Sequence, residues 1–142
     1  MPRIVVGVDG SEHSRRALNW ALQEARLRGA SVEVLHAWHI PYVAMNSGPG
    51  IFLVQDDLEE AARTLLHGLV RDADKSGLAR PPEEVLVNGS PAQALIEKSE
   101  GADMLVVGSR GLGGFVGLVL GSVSHQVAHH ARCPVVIIPA DG

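Results

Sequence analysis

The sequence predicts an α/β domain whose parallel sheet carries helices on both faces. Two observations carry that expectation: short apolar runs that read as buried strands, and segments between them whose apolar residues recur at helical spacing. Length is a third, because 142 residues suit one domain, 1–142, that buries roughly two-thirds of its unfolded surface without a disulfide or structural metal.

The elements follow in order. Ile4-Val5-Val6-Gly7-Val8 is a continuous apolar run, as expected of a strand buried on both faces. Ser11 caps a helix whose Ala17, Leu18, Ala21, Leu22 and Ala25 share one side until Gly29 stops it. Val32 to Ala37 is the second strand. Leu58, Ala61, Ala62, Leu65, Leu66, Leu69 and Ala73 trace a second helix ending near Gly77. Pro81-Pro82 marks a turn before a third strand, Glu84 to Val87. Ser90-Pro91, a cap followed by proline at the first helical position, opens a third helix that runs to about Glu100. Met104 to Val107 is the fourth strand, Ser122 starts a fourth helix, and Pro134 to Ile138 is the last strand. The stretch from Trp38 to Val54, with Pro41, Gly48, Pro49 and Gly50, reads as a long irregular connection, either a flap over a site or variable surface.

Composition narrows the function classes. Hydrophobic residues at 46% and charged residues at 20% exclude a disordered chain. A net charge of −4 offers no basic surface, so no nucleic-acid partner is expected. The single cysteine, Cys133, excludes a disulfide framework and fits a reducing, cytoplasmic location. Met1-Pro2-Arg3 and the short apolar run behind it do not make a signal peptide. Between Arg110 and Arg132 no residue carries a formal charge, a length that would suit a membrane span. Its longest apolar-plus-glycine stretch, Gly111 to Gly121, is too short to cross a bilayer, so no membrane partner is expected. The outlier is glycine: sixteen residues, above the usual roughly 7%, with Gly108, Gly111, Gly113, Gly114, Gly117 and Gly121 crowded into one loop.

That loop carries the chemistry. In open parallel sheets ligands bind beyond the carboxyl ends of strands, where the winding reverses. The first strand runs into Val8-Asp9-Gly10-Ser11 and the fourth into Gly108-Ser109-Arg110-Gly111-Leu112-Gly113-Gly114, which ends at Gly121-Ser122 on a helix start. If the two strands are neighbours, both loops face one crevice. Bare amides from a glycine loop and a helix N-terminus make an anion site without lysine, so a phosphate held mainly by backbone is the natural inference. No Gly-Lys-Ser/Thr follows the glycines, which excludes a P-loop. A dinucleotide fingerprint counted from Gly111 fails at Val116.

The spacing Gly108-x2-Gly111-x9-Gly121-Ser122, with Val5 to Ser11 in front and Cys133-Pro134-Val135-Val136 behind, resembles the universal stress protein family over the whole chain. The resemblance implies a three-layer, Rossmann-like fold of the adenine-nucleotide alpha hydrolase type. Its sheet would be five-stranded and parallel in the order 3-2-1-4-5, with four helices. The complete glycine spacing resembles the family's ATP-binding branch and implies ATP with magnesium. Asp9 would sit near ribose, phosphates or the magnesium ion. Gly108 and Gly111 would admit ribose and phosphates to the backbone, and Gly121, Ser122 and Val123 would offer amides and a hydroxyl to the phosphates. The backbone of Ala37 would meet the adenine edge. Gly10, Ser11, Ser109, Arg110, Gly113, Gly114 and Ser124 complete the candidate set. The resemblance also implies a homodimer through Pro134 to Ile138, an apolar run that would be a sheet edge.

Other groups weigh less. His125 and His129 have metal-ligand spacing, but Gln126 stands where a zinc protease needs glutamate, and a helix-face role is the better reading. Asp9, Ser11 and His13 match a hydrolytic trio only in composition. Arg15 and Arg16 follow the first loop and read as solvated helix positions, with a reach of one of them to phosphate as the alternative. The expected function is a dimeric, ATP-binding regulator or sensor of the stress response, with at most slow hydrolysis because no dedicated catalytic base is placed. The alternatives are a dimeric interaction module that binds no nucleotide and an ATP-using enzyme of a related fold.

Overall fold

The structure is a computed structural model that describes residues 1–39, 51–110 and 120–139, with 51–54 described by backbone alone. Along the chain run β1 (Arg3–Gly7), α1 (Glu12–Arg28), β2 (Ser31–Trp38), α2 (Ile51–Asp72), β3 (Glu83–Asn88), α3 (Pro91–Ser99), β4 (Met104–Gly108), α4 (Ser122–His130) and β5 (Val135–Ile138). All strands are parallel, in the order β3-β2-β1-β4-β5. The chain therefore moves outward from β1 to β3, then crosses back to β4 and β5. Right-handed crossovers in opposite directions place helices on opposite faces. Accordingly α1 and α2 cover one face, and α3 and α4 the other.

The strand period of two divides the apolar residues between two cores. Ile4, Val6, Val32, Val34, Met104 and Val106 pack with Leu18, Leu22, Leu66 and Leu69 from α1 and α2. Val5, Leu35, Leu105 and Val107 pack with Leu95 and Val127 from α3 and α4. Continuous apolar runs are thus what a sheet covered on both sides requires, and Ile4, Val5 and Val6 are fully buried. The amino ends of the strands are tied by Arg3, whose guanidinium donates to Glu33 Oε2 and to the carbonyls of Lys98 and Glu100.

Caps fix the helix ends. Ser11 Oγ accepts from Ser14 N at 3.2 Å, and Gly29 closes α1 in the left-handed conformation at φ +63°. Ser90 and Pro91 open α3 as the sequence predicts. Two boundaries differ from the sequence expectation. α2 begins at Ile51, so residues 51–54 are helical and not part of an irregular connection. The same helix ends at Asp72 and not near Gly77, because the Lys75 ammonium folds back to donate to the carbonyls of Val70, Arg71 and Ala73. The proposed flap, residues 40–50, lies outside the described residues.

Candidate functional site

The reversal of winding falls between β1 and β4, which pair in register from Ile4 with Met104 to Val6 with Val106. The loops that leave these two strands therefore start side by side at the carboxyl edge, together with the end of β2. In the first loop Asp9 is half-buried, and its Oδ1 accepts from Ser11 N at 2.9 Å. The Asp9 amide donates to Ser14 Oγ at 3.2 Å. Gly10 sits at φ +88°, where only glycine is unstrained, so the turn after β1 needs it. Ser11 is 7% exposed and its Oγ is the helix cap, which directs that hydroxyl into α1.

The glycine loop is tied at both ends. Ser109 N donates to Ile138 O at 2.8 Å, which fixes the loop to β5. Ser109 O accepts from Gly121 N at 2.6 Å and from Ser124 Oγ at 2.7 Å. Ser109, Gly121 and Ser124 are all buried, and these bonds bring the entry and exit of the loop together. Ser124→Ala, which removes one of the two donors, is expected to lower stability by about 1 kcal/mol, read as an earlier urea midpoint. An unchanged midpoint would show that Gly121 N alone holds the closure.

α4 begins at this knot, and its start differs from the other helices with an assigned cap. Ser11 and Ser90 cap α1 and α3 with hydroxyls, whereas the α4 cap position is Gly121, which supplies no side-chain hydrogen bond. The first-turn amides of Ser122, Val123 and Ser124 have no acceptor within the helix. Ser122 is exposed and Val123 half-buried. Their amides and the helix dipole favour an anion at this end. Arg110 is half-buried at the loop entry. Gly111, Gly113 and Gly114 lie outside the described residues.

Gly108 has a definite reason to be glycine. A Cβ there would lie 2.9 Å from His13 O and 3.0 Å from His13 C, so β4 ends directly against the first turn of α1. Ala37, near the end of β2, is half-buried and pairs with Val87 of β3.

The weaker candidates fall elsewhere. The His125 and His129 rings lie 4.5 Å apart on α4, both exposed, and among the described residues no cluster of three metal-ligating side chains exists. Cys133 is half-buried, and burial pushes its thiol up from the ordinary cysteine range, away from thiolate. Arg15 is exposed and Arg16 half-buried on α1. No described helix is long and apolar enough to cross a membrane.

Sequence reading passed over His36. Its Nδ1 lies 2.9 Å from Val8 O, the carbonyl just before Asp9. The available signal was polarity out of place, since His36 continues the core-facing series Val32 and Val34.

Known proteins resemble this chain in sequence and in fold. The sequence profile described as the universal stress protein family matches residues 1–139. A universal stress protein of Mycobacterium tuberculosis is 37% identical over 134 residues, 94% of this chain and 44% of the relative, so the chain spans less than half of that protein. A universal stress protein solved in complex with cAMP is 32% identical with a TM-score of 0.69, and the match covers 97% of this chain and 96% of that one. A universal stress protein family protein from Arabidopsis thaliana with AMP bound is 25% identical with a TM-score of 0.68, over 100% of this chain and 94% of that one. The profile match over residues 1–139 and 37% identity over 94% of the chain agree with the observed fold, and the chain belongs to the universal stress protein family.

Proposed function

We propose that this protein binds an adenine nucleotide, ATP with magnesium, in the crevice between the β1 and β4 loops, and acts as a dimeric regulator of the stress response. The observation that carries the reading is the uncapped start of α4 at Gly121-Ser122, directly behind the glycine loop and tied through Ser109 to the end of β4, the strand that pairs with β1. The cAMP and AMP found in similar proteins support an adenine nucleotide as the class of ligand.

The donor set fits a phosphate chain. Ser122 and Val123 would hold phosphate through amides, with the Ser122 hydroxyl beside them, while Gly111, Gly113 and Gly114 would keep side chains out of its way. Ser109, Gly121 and Ser124 serve the same site by closing the loop, since their polar groups bond to one another. Gly108 brings the loop against α1, and Gly10 and Ser11 shape the turn that presents Asp9. Arg110 adds a positive charge at the loop entry. Asp9 would hold magnesium jointly with the phosphates, the usual arrangement for an ion bound through one or two carboxylates. Bound magnesium would neutralise phosphate charge. With no second acid or histidine assigned as base, hydrolysis is at most slow.

The dimer would form through the free edge of β5. The two edges of the sheet differ: β3 carries the exposed Glu83 and Glu84, which discourage pairing, whereas Val135 to Ile138 has no charge. A cytoplasmic location would suit a sequence with a single cysteine and no disulfide framework. Nucleotide occupancy would set the conformation of the glycine loop and thereby what the dimer contacts.

Three measurements test the reading. Denaturing the purified protein is expected to release adenine nucleotide, and ATP titrated into the stripped protein is expected to bind. Absence of binding at millimolar ATP would leave the interaction module as the better description. Gly111→Ala, which adds a methyl where backbone would approach phosphate, is expected to weaken ATP without lowering the melting temperature. Equal affinity in that variant would assign the glycine to chain geometry.

A further inference from the structure

The carboxyl end of β2 holds a feature that the phosphate site does not use. In a strand the N–H and C=O of one residue point to the same side, and successive residues alternate between neighbours. Leu35 O accepts from Val8 N at 2.9 Å, on the β1 side, while Trp38 O accepts from Gly89 N at 2.8 Å, on the β3 side. Ala37 therefore turns its N–H and C=O toward β1, one step past the last rung of that ladder. The next rung would join Ala37 N–H to Val8 O. Among the described residues that bond is not made, and Val8 O instead accepts from the imidazole of His36 at 2.9 Å. A carbonyl can only accept, so Nδ1 carries the proton. The following rung would use the amide of Gly10, which belongs to the turn at φ +88°.

We propose that His36 is a positioning residue for base recognition: by holding Val8 O through Nδ1–H it ends the β1–β2 ladder and leaves the Ala37 N–H and C=O side by side for an adenine edge. The proposal rests on the nucleotide reading above and on the Ala37–adenine contact that the family resemblance implies, and adds the residue that keeps that edge free. Adenine presents an amino donor beside a ring-nitrogen acceptor, which complements a carbonyl next to an N–H. Guanine presents the reverse order and would face donor against donor and acceptor against acceptor. A buried mismatch of that kind discriminates more strongly than a missing contact.

Titration calorimetry with ATP and GTP on the wild type, His36→Asn and His36→Leu tests this. The asparagine amide nitrogen occupies the place of Nδ1 and can still donate to Val8 O. His36→Asn is expected to stay within about twofold of wild type for ATP, whereas His36→Leu loses roughly fivefold to tenfold, the equivalent of one hydrogen bond. GTP binding changes little, so the ATP preference shrinks in the leucine variant alone. Wild-type affinity and preference in His36→Leu would overturn the proposal, as would equal losses in both variants, because ring packing would then explain them. A second readout needs no nucleotide. The Ala37 amide is expected to exchange hydrogen faster than that of Leu35 in the free wild type, and to slow in His36→Leu as it closes on Val8 O. Unchanged Ala37 exchange would overturn the hold of His36 on the ladder. Absence of ATP binding by the wild type would instead overturn the nucleotide reading, and with it the base-selecting role, while the exchange comparison still judges His36 separately.

Discussion

Gly108→Ala is expected to destabilise the protein by about 1–3 kcal/mol, the usual cost of forcing extra volume into a packed site. The added Cβ would meet His13 O at 2.9 Å and His13 C at 3.0 Å. Both are backbone atoms in the first turn of α1, so no rotamer change relieves the contact. Either β4 must withdraw from β1 or α1 must lift at its start. Lifting α1 disturbs the Ser11 cap and the Asp9 turn in front of it, so nucleotide affinity should fall together with stability. For a chain of this length the stability loss corresponds to a melting temperature lower by several degrees. Gly111→Ala should separate the two effects, weakening ATP at constant melting temperature. A Gly108→Ala protein that melts with the wild type would show that the strand end and the helix can part at no cost.

If the proposed β5 dimer forms, Ile137→Pro is expected to convert it into a monomer, halving the mass measured by light scattering. The backbone geometry of β5 selects this position. Pro134 O accepts from Leu105 N at 2.9 Å and Ile138 O from Ser109 N at 2.8 Å, so the even-numbered residues face β4. Val135 and Ile137 consequently point their N–H and C=O away from the sheet, toward any second strand. Proline at 137 deletes an outward donor and leaves the bonds to β4 in place, the circumstance in which an edge strand tolerates it; it also trims a half-buried side chain from the core under α3 and α4 but puts no charge there. Val136→Lys is less clean. Val136 faces β4 through its backbone and packs its side chain against the core beneath α1, so lysine there also loosens the fold. A dimer mass that survives Ile137→Pro would place the interface elsewhere.

Much of the fold is legible in the sequence because burial on both faces leaves a simple signature. Ile4 to Val8 and Met104 to Val107 are continuous apolar runs since one alternate set enters each core. Ser11, Gly29, Ser90 and Pro91 mark helix ends through local chemistry, which needs no knowledge of the rest of the chain. The errors arise where tertiary contacts decide. The apolar stretch Ile51 to Val54 follows Pro49-Gly50 and lacks polar residues to show a helical period, so it reads as connection, although it is the first turn of α2. The end of that helix depends on Lys75 bending back onto three carbonyls, which no local pattern announces.

The candidate site divides in the same way. By itself the sequence determined that glycines crowd between β4 and α4, that Asp9 follows β1, and that neither a P-loop nor a dinucleotide fingerprint is present. Those are properties of spacing. Only the tertiary structure separated the roles within the set. It turned Ser11, Ser109, Gly121 and Ser124 inward to shape and close the loops, and left the Ser122 and Val123 amides at an uncapped helix start. It assigned Gly108 to packing against His13, and it joined His36 to Val8 across 28 residues of chain. The reason is physical: spacing fixes where the backbone is bare, but whether a hydroxyl or amide faces a ligand or another part of the chain depends on which acceptor the fold brings within hydrogen-bond reach.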